Sequence, residues 1–232
     1  DPLTRTLLET ALGLGSLMTV ASVLGSFGLL PKPVCQLLFV LVLVVTTIHI
    51  ARGAISLRIP DWDGSNLNLL VLLLGSALLF PILLQIGAPP VAADEAQYHR
   101  RFVEYIVRTG RVPGDLEDGM TGFALGLHCL AAIPTAIAGT GVLRPLSMLI
   151  GLMGIFSGER LARRVFGREA TWLYVLVVCG AVSTLRILPT FNTDLTLSAF
   201  VALAVILMVD WARSPDSPRG TPWAIGALGG FA

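Results

Sequence analysis

Long apolar runs alternate with short polar segments along most of the chain. A helix that crosses a membrane needs about 20 consecutive, mostly apolar residues. The runs that approach this length, together with a last one that is only beginning, are Leu7–Leu30, Val34–Ile50, Leu67–Gly87, Leu143–Phe156, Ala170–Leu188, Leu195–Trp211 and Trp223–Ala232. The pattern therefore predicts an all-α fold, a polytopic transmembrane helix bundle with about six or seven spans in this chain.

The overall composition agrees with a membrane protein. The chain has 232 residues, of which 54% are hydrophobic and 13% are charged, and its mean hydropathy is +0.79. Soluble domains carry about 25% charged residues. The formal net charge of +1 shows nothing of the basic surface that nucleic-acid binding requires. We therefore expect a multi-pass protein of a bacterial or archaeal-type plasma membrane.

Basic residues in the short polar segments predict which ends of the spans face the cytoplasm. The densest basic cluster is "GERLARRVFGRE", residues 158–169, which we place inside. The stretch at 89–113 then lies outside only if the apolar segment Gly119–Gly139 does not cross the membrane. The glycines of that segment and Pro134 favour a re-entrant or interfacial piece. We therefore expect an extracytoplasmic loop at 88–142 that carries amphipathic juxtamembrane helices.

The stretch "PPVAADEAQYHRRFVEYIVRTGRVP", residues 89–113, concentrates charge between two apolar regions. Its two prolines end the preceding helix, and Asp94 is a favourable N-cap for a new one. Gly110 is typical of the position that follows a helix C-terminus. Between them, the larger apolar and aromatic side chains recur at helical spacing at Tyr98, Phe102, Tyr105 and Ile106. The sequence predicts an amphipathic helix on the outer membrane surface.

Charged side chains in this helix allow more than one interpretation. Asp94 and Glu95 either cap the helix and favour its positive end, or face whatever enters from the lipid. Glu95 and His99 are one helical turn apart, so they either share a metal ion or a proton, or are simply solvated. A divalent metal ion is thus a candidate cofactor. Anionic headgroups or a lipid-linked phosphate would explain the basic residues expected outside, Arg100, Arg101, Arg108 and Arg111.

His128 lies in the middle of the apolar segment that follows this helix. A histidine in such a setting is generally a hydrogen-bonded structural residue. We expect that role for it.

Three motifs follow one another in a specific order. The stretch "DEAQYHRRFVEYIVRTGRVP" comes first, the basic turn "RLARRVFGR" follows, and "FNTDLTLS" then places Asp194 at the start of a later helix. In this order and spacing, residues 67–232 resemble the GT-C superfamily of integral membrane glycosyltransferases. The closest likeness is to the branch with protein O-mannosyltransferases and lipid A aminoarabinose transferases. The resemblance divides the chain into two accessory transmembrane helices, 1–66, and a partial GT-C-like core, 67–232.

The resemblance implies the transfer of a sugar from a polyprenyl-phosphate donor to an acceptor on the extracytoplasmic side. The lipid-linked sugar and membrane lipids would be the partners. Asp94 matches the family's catalytic base or acceptor-orienting carboxylate, Glu95 stands beside it, and Asp194 matches a second acidic position. Arginine suits the donor phosphate because a guanidinium binds phosphate with two hydrogen bonds. The residues implied in substrate binding are His99, Arg100, Arg101, Arg186 and Asn192.

A second interpretation is a non-catalytic GT-C-like subunit that acts as a scaffold in a larger membrane complex. Helix capping alone would explain Asp94 and Asp194, and a side chain that reaches to the interface would explain Arg186. The family's proline-rich run after the first loop is not found, since the matching region reads "DLEDGMTGFALGLHCLAAI". This departure favours the scaffold. The chain begins at Asp1 and ends within an apolar run, so we expect a piece of a longer protein.

Overall fold

A computed structural model describes residues 2–51, 80, 82–86, 95–113, 126–167, 170–214 and 220–231. These residues form helices joined by turns, and no β-strand occurs among them, which confirms the predicted all-α class. The α-helices are α1 (Pro2–Ser26), α2 (Lys32–Ala51), α3 (Arg100–Thr109), α4 (Gly126–Ala138), α5 (Leu143–Phe166), α6 (Ala170–Gly180), α7 (Val182–Ile187), α8 (Asp194–Arg213) and α9 (Thr221–Phe231). A π-helical turn, Glu95–His99, leads into α3, and a 3-10 turn, Thr140–Val142, leads into α5.

Three helices among the described residues are long and apolar enough to cross a membrane: Leu3–Ser26, Thr140–Phe166 and Asp194–Arg213. Two apolar helices, Lys32–Ile48 and Gly126–Ala138, are shorter. The chain thus has the helices of a membrane protein by length and composition. The predicted count of six or seven spans stays a prediction. The predicted run Leu67–Gly87 lies mostly outside the described residues, and only residue 80 and residues 82–86, all helical, belong to it.

Two predicted runs differ from the helices that form. The run Leu143–Phe156 continues as a helix to Phe166, because the charged residues after it are good helix formers and Arg164 pairs with Asp210 at 2.9 Å. The run Ala170–Leu188 is divided by Ala181, whose backbone is extended, with φ −72° and ψ 123°.

Helices α5 and α8 pack side by side and run parallel. Near their starts, the backbone N–H of Asn192 donates to Ser147 Oγ at 3.3 Å. Near their ends, Arg164 pairs with Asp210, and Arg213 Nη1 donates to the Arg164 carbonyl at 3.0 Å. A Cβ added at Gly154 of α5 would lie 3.6 Å from the Ala199 Cβ of α8, so small residues allow the close approach. The chain returns between the two helices through α6 and α7.

The turn between α1 and α2 is bonded to the end of α3. Leu30 N–H donates to the Gly110 carbonyl at 3.1 Å, and Val112 N–H donates to the Gly25 carbonyl at 3.0 Å. Gly110 has φ +71°, and a Cβ there would lie 2.8 Å from the backbone nitrogen of Pro31. Glycine is therefore required at this position both by its left-handed backbone and by the close approach. The predicted helix end at Gly110 is confirmed.

We call the end of the bundle that carries Gly25, Gly110 and Asn192 the α3 end, and the end that carries Arg164 and Asp210 the arginine end. The end of α1 lies near the start of α8, because a Cβ at Gly25 would be 3.8 Å from Cys129 Sγ and the adjacent His128 contacts Phe191. Further from that end, Phe231 packs against Phe200 and approaches Gly15. Helix α1 therefore runs antiparallel to α8. The segment after Val112 starts at the α3 end. Arg144 lies at the same end, because it contacts Glu95 in the turn that leads into α3. Val112 and Arg144, which precede and follow α4 in the sequence, are therefore both at the α3 end of the bundle.

Helix α4 lies in the centre of the core. Nearly all its residues from Leu127 to Ala136 are buried, and they pack against α1, α2 and α3. The opposite holds for α2, whose residues from Val40 to Ile48 are exposed and almost entirely apolar. Such a helix is typical of a lipid-facing position, since water would leave its apolar surface unfavourably hydrated.

Candidate functional site

A buried ion pair joins the start of the amphipathic loop helix to the start of α5. Arg144 Nε donates to Glu95 Oε1 at 2.8 Å, and Arg144 Nη2 donates to Glu95 Oε2 at 2.9 Å. The two side chains are only 8% and 5% exposed. Arg144 Nη1 donates to the carbonyl of Gln85 at 2.7 Å. This two-pronged geometry, with a further carbonyl acceptor, is what a buried charge pair needs to offset its desolvation.

Two histidines meet one helical turn further along. His99 Nδ1 and His128 Nε2 are 2.9 Å apart, and their rings are stacked with centroids separated by 5.1 Å. Phe102 lies edge-on to His128 at 5.5 Å, and Phe191 lies edge-on to both histidines, 6.0 Å from His99 and 5.9 Å from His128. The prediction that His128 is a hydrogen-bonded residue of an apolar segment is confirmed.

The environment of His128 favours its neutral form. The residue is 2% exposed and belongs to α4, which is not among the three helices long enough to span a membrane. Burial, and to a smaller extent the nearby His99, lower the pKa of His128 well below its usual range. Its Nδ1 atom is buried and has no hydrogen-bond partner among the described residues. A neutral ring with its proton on Nε2, donated to His99, leaves only a lone pair unsatisfied there.

The start of α8 joins the same cluster through Phe191 and Asn192. Phe191 is 1% exposed against the two histidines, and Asn192 bonds to Ser147, one turn along α5 from Arg144. Asn192 Oδ1 accepts from the backbone N–H of Asp194 at 2.7 Å. The fold therefore brings the predicted site residues Glu95, His99 and Asn192 to one place.

The remaining predicted site residues lie at the margin of this cluster or outside the described part of the chain. Asp94 is not among the described residues. Arg100 pairs with Glu104 at 2.9 Å on the outer side of α3, and Arg101 is exposed. Arg186 is exposed on α7. Asp194 is exposed in the first turn of α8.

Asp194 does not occupy the N-cap position that the capping interpretation gives it. Thr193 precedes the helix, and its side chain makes no capping hydrogen bond. Asp194 is the first helical residue, so it does not cap the helix. Its carboxylate still lies in the first turn, where negative charge favours the positive end of the helix dipole.

The contacts of Glu95 bear on the prediction that it shares a metal ion with His99. Both carboxylate oxygens of Glu95 accept hydrogen bonds from Arg144. No group of three histidine, cysteine, aspartate or glutamate side chains arranged to hold a metal ion occurs within the described ranges. The metal site stays a prediction.

Sequence reasoning missed Arg144 and Ser147. Arg144 stands alone in "GVLRPLSMLIGLMG", at the start of an apolar run. A charge in such a run is costly unless it is paired, so it signals a partner. The partner could not be identified because Glu95 lies 49 residues earlier in the chain.

The arrangement has the parts for a proton transfer next to a fixed charge pair. An imidazole titrates near neutral pH and is the side chain used most often as a general acid or base. His99 is partly buried and held in orientation by His128, while the Glu95–Arg144 pair lies one turn away on the same helical segment.

Comparison of the chain with protein-family models, with curated proteins and with solved structures gave no match.

Proposed function

We propose that the chain is part of a membrane glycosyltransferase that moves a sugar from a polyprenyl-phosphate donor to an acceptor on the extracytoplasmic side. The observation that carries this proposal is the convergence of Glu95, His99 and Asn192 at the α3 end, through Arg144, His128 and Ser147. These residues come from segments that are distant in sequence. Polar groups gathered in this way at the end of apolar helices are typical of a functional site.

The α3 end is proposed to face away from the cytoplasm. Arg163 and Arg164 lie at the opposite end of α5, where the positive-inside rule favours the cytoplasm. Val112 and Arg144, which precede and follow α4 in the sequence, both lie at the α3 end, and this supports a segment that does not make a single crossing. If α4 does not cross the membrane, the orientations that the positive-inside rule predicts from the short polar stretches agree with one another.

In the proposed reaction, the acceptor oxygen or nitrogen bonds to the anomeric carbon of the sugar, and the bond from that carbon to the donor phosphate breaks. A carboxylate accepts the proton of the acceptor hydroxyl or amine, and the polyprenyl phosphate leaves. Asp94 is our choice for this base, with Asp194 as the second acidic residue. Glu95 is held by Arg144, so we assign it to the positioning of the loop helix and not to proton transfer. Arg100, Arg101 and Arg186 are the guanidinium groups proposed for the donor phosphate.

The test is transfer of a labelled sugar from polyprenyl phosphate by the full-length protein in proteoliposomes. Asp94→Asn is expected to lower the rate by at least about 100-fold, which is the usual effect of removing a general base. Glu9→Gln, which also removes one carboxylate but from an exposed position on α1, is the control and is expected to keep the rate. Equal rates for wild type and Asp94→Asn would refute the catalytic assignment.

A non-catalytic scaffold is the second candidate, and one observation favours it. The Glu95 carboxylate is fully engaged by Arg144 and buried, which is typical of a structural pair. A scaffold predicts that the full-length protein, purified from its native membrane, elutes with a membrane protein partner at fixed stoichiometry and shows no transfer with any lipid-linked sugar. Transfer by the protein alone would exclude this candidate.

A further inference from the structure

The exposed side of α3 carries a charged cleft that lies apart from the cluster of Glu95, His99 and Asn192. The cleft has a volume of about 310 Å³ and is lined by Arg101, Glu104, Tyr105, Arg108 and Thr109. These residues are spaced three or four apart, so they form one stripe along the helix. The other face of α3, with Phe102, Val103 and Ile106, is buried against the bundle. The stripe is therefore not needed to build the core.

We propose that this cleft binds the phosphate headgroup of an anionic phospholipid of the surrounding membrane. Such binding goes beyond the proposed transfer reaction. It assigns Arg101 to the resident lipid, which leaves Arg100 and Arg186 for the donor phosphate of that reaction.

The charge of the cleft is the first argument. Arg101 and Arg108 are exposed, and neither makes a hydrogen bond or ion pair with any described residue. The negative charge of Glu104 is neutralised by Arg100, whose Nε lies 2.9 Å from it. Within the described part of the chain, no carboxylate therefore balances these two guanidinium groups along the exposed side of the helix. Guanidinium binds phosphate oxygens with parallel hydrogen bonds, and it does so better than any other side chain.

The level of the cleft relative to the membrane is the second argument. The end of α3 is bonded to Gly25 and Leu30, at the end of the candidate span Leu3–Ser26. A helix of 24 residues is about 36 Å long, which slightly exceeds the roughly 30 Å of a bilayer's hydrocarbon core. The end of this helix, and α3 with it, therefore lies at the level of the headgroups. Tyr105, 41% exposed in the cleft, is a residue type enriched at that level.

The position of the cleft relative to the histidines is the third argument. Phe102, on the buried face of α3, contacts His128. A phosphate in the cleft would lie on the opposite face of the same helix, away from the histidines and from the Glu95–Arg144 pair. The occupant is accordingly a membrane lipid that stays in place, and not a donor that must reach the site.

The test is the binding of single lipids to the full chain in detergent, measured by native mass spectrometry. Dioleoyl phosphatidylglycerol is titrated against wild type and against the double variant Arg101→Gln/Arg108→Gln. The variant is expected to bind the first phosphatidylglycerol at least about tenfold more weakly, because two charge-assisted contacts are lost. The control variant Arg5→Gln/Arg163→Gln removes the same charge from exposed positions elsewhere in the chain and is expected to change binding less than about twofold.

Three further arms complete the experiment. Phosphatidylcholine is expected to bind equally weakly to all variants, and inorganic phosphate at the same concentration is expected not to displace the phosphatidylglycerol. Should the glutamine variant not fold, Arg101→Lys/Arg108→Lys keeps the charge but loses the two-pronged geometry, and is expected to bind at least about threefold more weakly. Equal binding by wild type and both double variants, an equal loss in the control, or displacement by free phosphate would overturn the proposal. Because no sugar donor is present, failure here would leave the transferase proposal untouched.

Discussion

Arg144, the second residue of α5, donates two hydrogen bonds to the carboxylate of Glu95, the first residue of the turn that leads into α3. This pair fixes where the amphipathic loop helix begins, just as the turn between α1 and α2 fixes where it ends. The loop helix is therefore held at both ends by elements that precede and follow it in the chain.

Breaking this pair from one side is expected to be costly. Arg144→Met leaves a buried carboxylate without its partner and is expected to lower the free energy of unfolding by about 3–5 kcal/mol. Replacing both partners, by Arg144→Met together with Glu95→Leu, should recover most of that loss, because no charge then remains buried. Thermal unfolding in detergent micelles measures both.

The control for this experiment is Arg100→Met. Arg100 and Glu104 form an exposed pair with side chains 39% and 42% exposed, so its loss should cost no more than about 1 kcal/mol. A loss of stability in Arg144→Met no greater than in this control would show that the buried pair does not hold the loop helix.

The left-handed glycine at the end of α3 gives a second prediction. Gly110→Ala is expected to destabilise the fold by about 2–3 kcal/mol, because the new Cβ is strained at φ +71° and collides with the backbone of Pro31. Gly28→Ala is the control: its φ is +72°, but the new Cβ would meet only the flexible side chain of Arg111, which can move away. We expect about 1 kcal/mol there, from backbone strain alone. Equal effects in the two variants would contradict the close docking of the two turns.

The lowered pKa of His128 predicts a pH dependence of stability. The folded state keeps His128 neutral, whereas the unfolded state takes up a proton below a pH of about 6.5. The stabilisation is therefore fully present above that pH and is lost as the pH falls toward the lowered folded pKa, with a slope of up to about 1.4 kcal/mol per pH unit.

His128→Phe removes the titrating group, so its melting temperature should fall less steeply than that of wild type between pH 7 and pH 5. Because the His99 ring faces this position, His99→Gln is measured beside it to separate the two histidines. Parallel pH profiles of the melting temperature for wild type and His128→Phe would show that His128 does not cause the pH dependence.

The proposed orientation predicts which cysteines a membrane-impermeant maleimide can reach in intact cells. In a variant with the native cysteines replaced, Thr109→Cys on α3 should be labelled from outside. Phe166→Cys, at the end of α5 and 78% exposed, should be labelled only after the membrane is made permeable. The reverse pattern would place the loop helix in the cytoplasm.

The sequence was most informative where local rules decide the structure. The amphipathic helix that ends at Gly110 followed from spacing and from the glycine, and the structure has both, although its first five described residues form a π-helical turn instead of an α-helical one. Apolar runs likewise identified α1, α2, α8 and α9. These features depend on residues that are near one another in the chain.

The candidate site was predictable only in part. Glu95, His99 and Asn192 were chosen from type and position, and they do lie near one another. Arg144 and Ser147, which tie them together, were missed because pairing across 45 to 49 residues leaves no local pattern. The break at Ala181 was missed for another reason: alanine favours helices, and the preceding Gly180 was one of many glycines in the apolar runs.

The two backbone hydrogen bonds between the α1–α2 turn and the end of α3 bear on how the protein is made. Ribosomal synthesis delivers α1, α2 and the turn between them before residues 95–113, so the backbone groups that bond the end of the loop helix are already made when that helix emerges. A shortened gene that starts after residue 66 would encode a chain without these backbone groups. Its product would keep the Glu95–Arg144 ion pair at the start of the loop helix. It would lose the two backbone hydrogen bonds that hold the end of that helix.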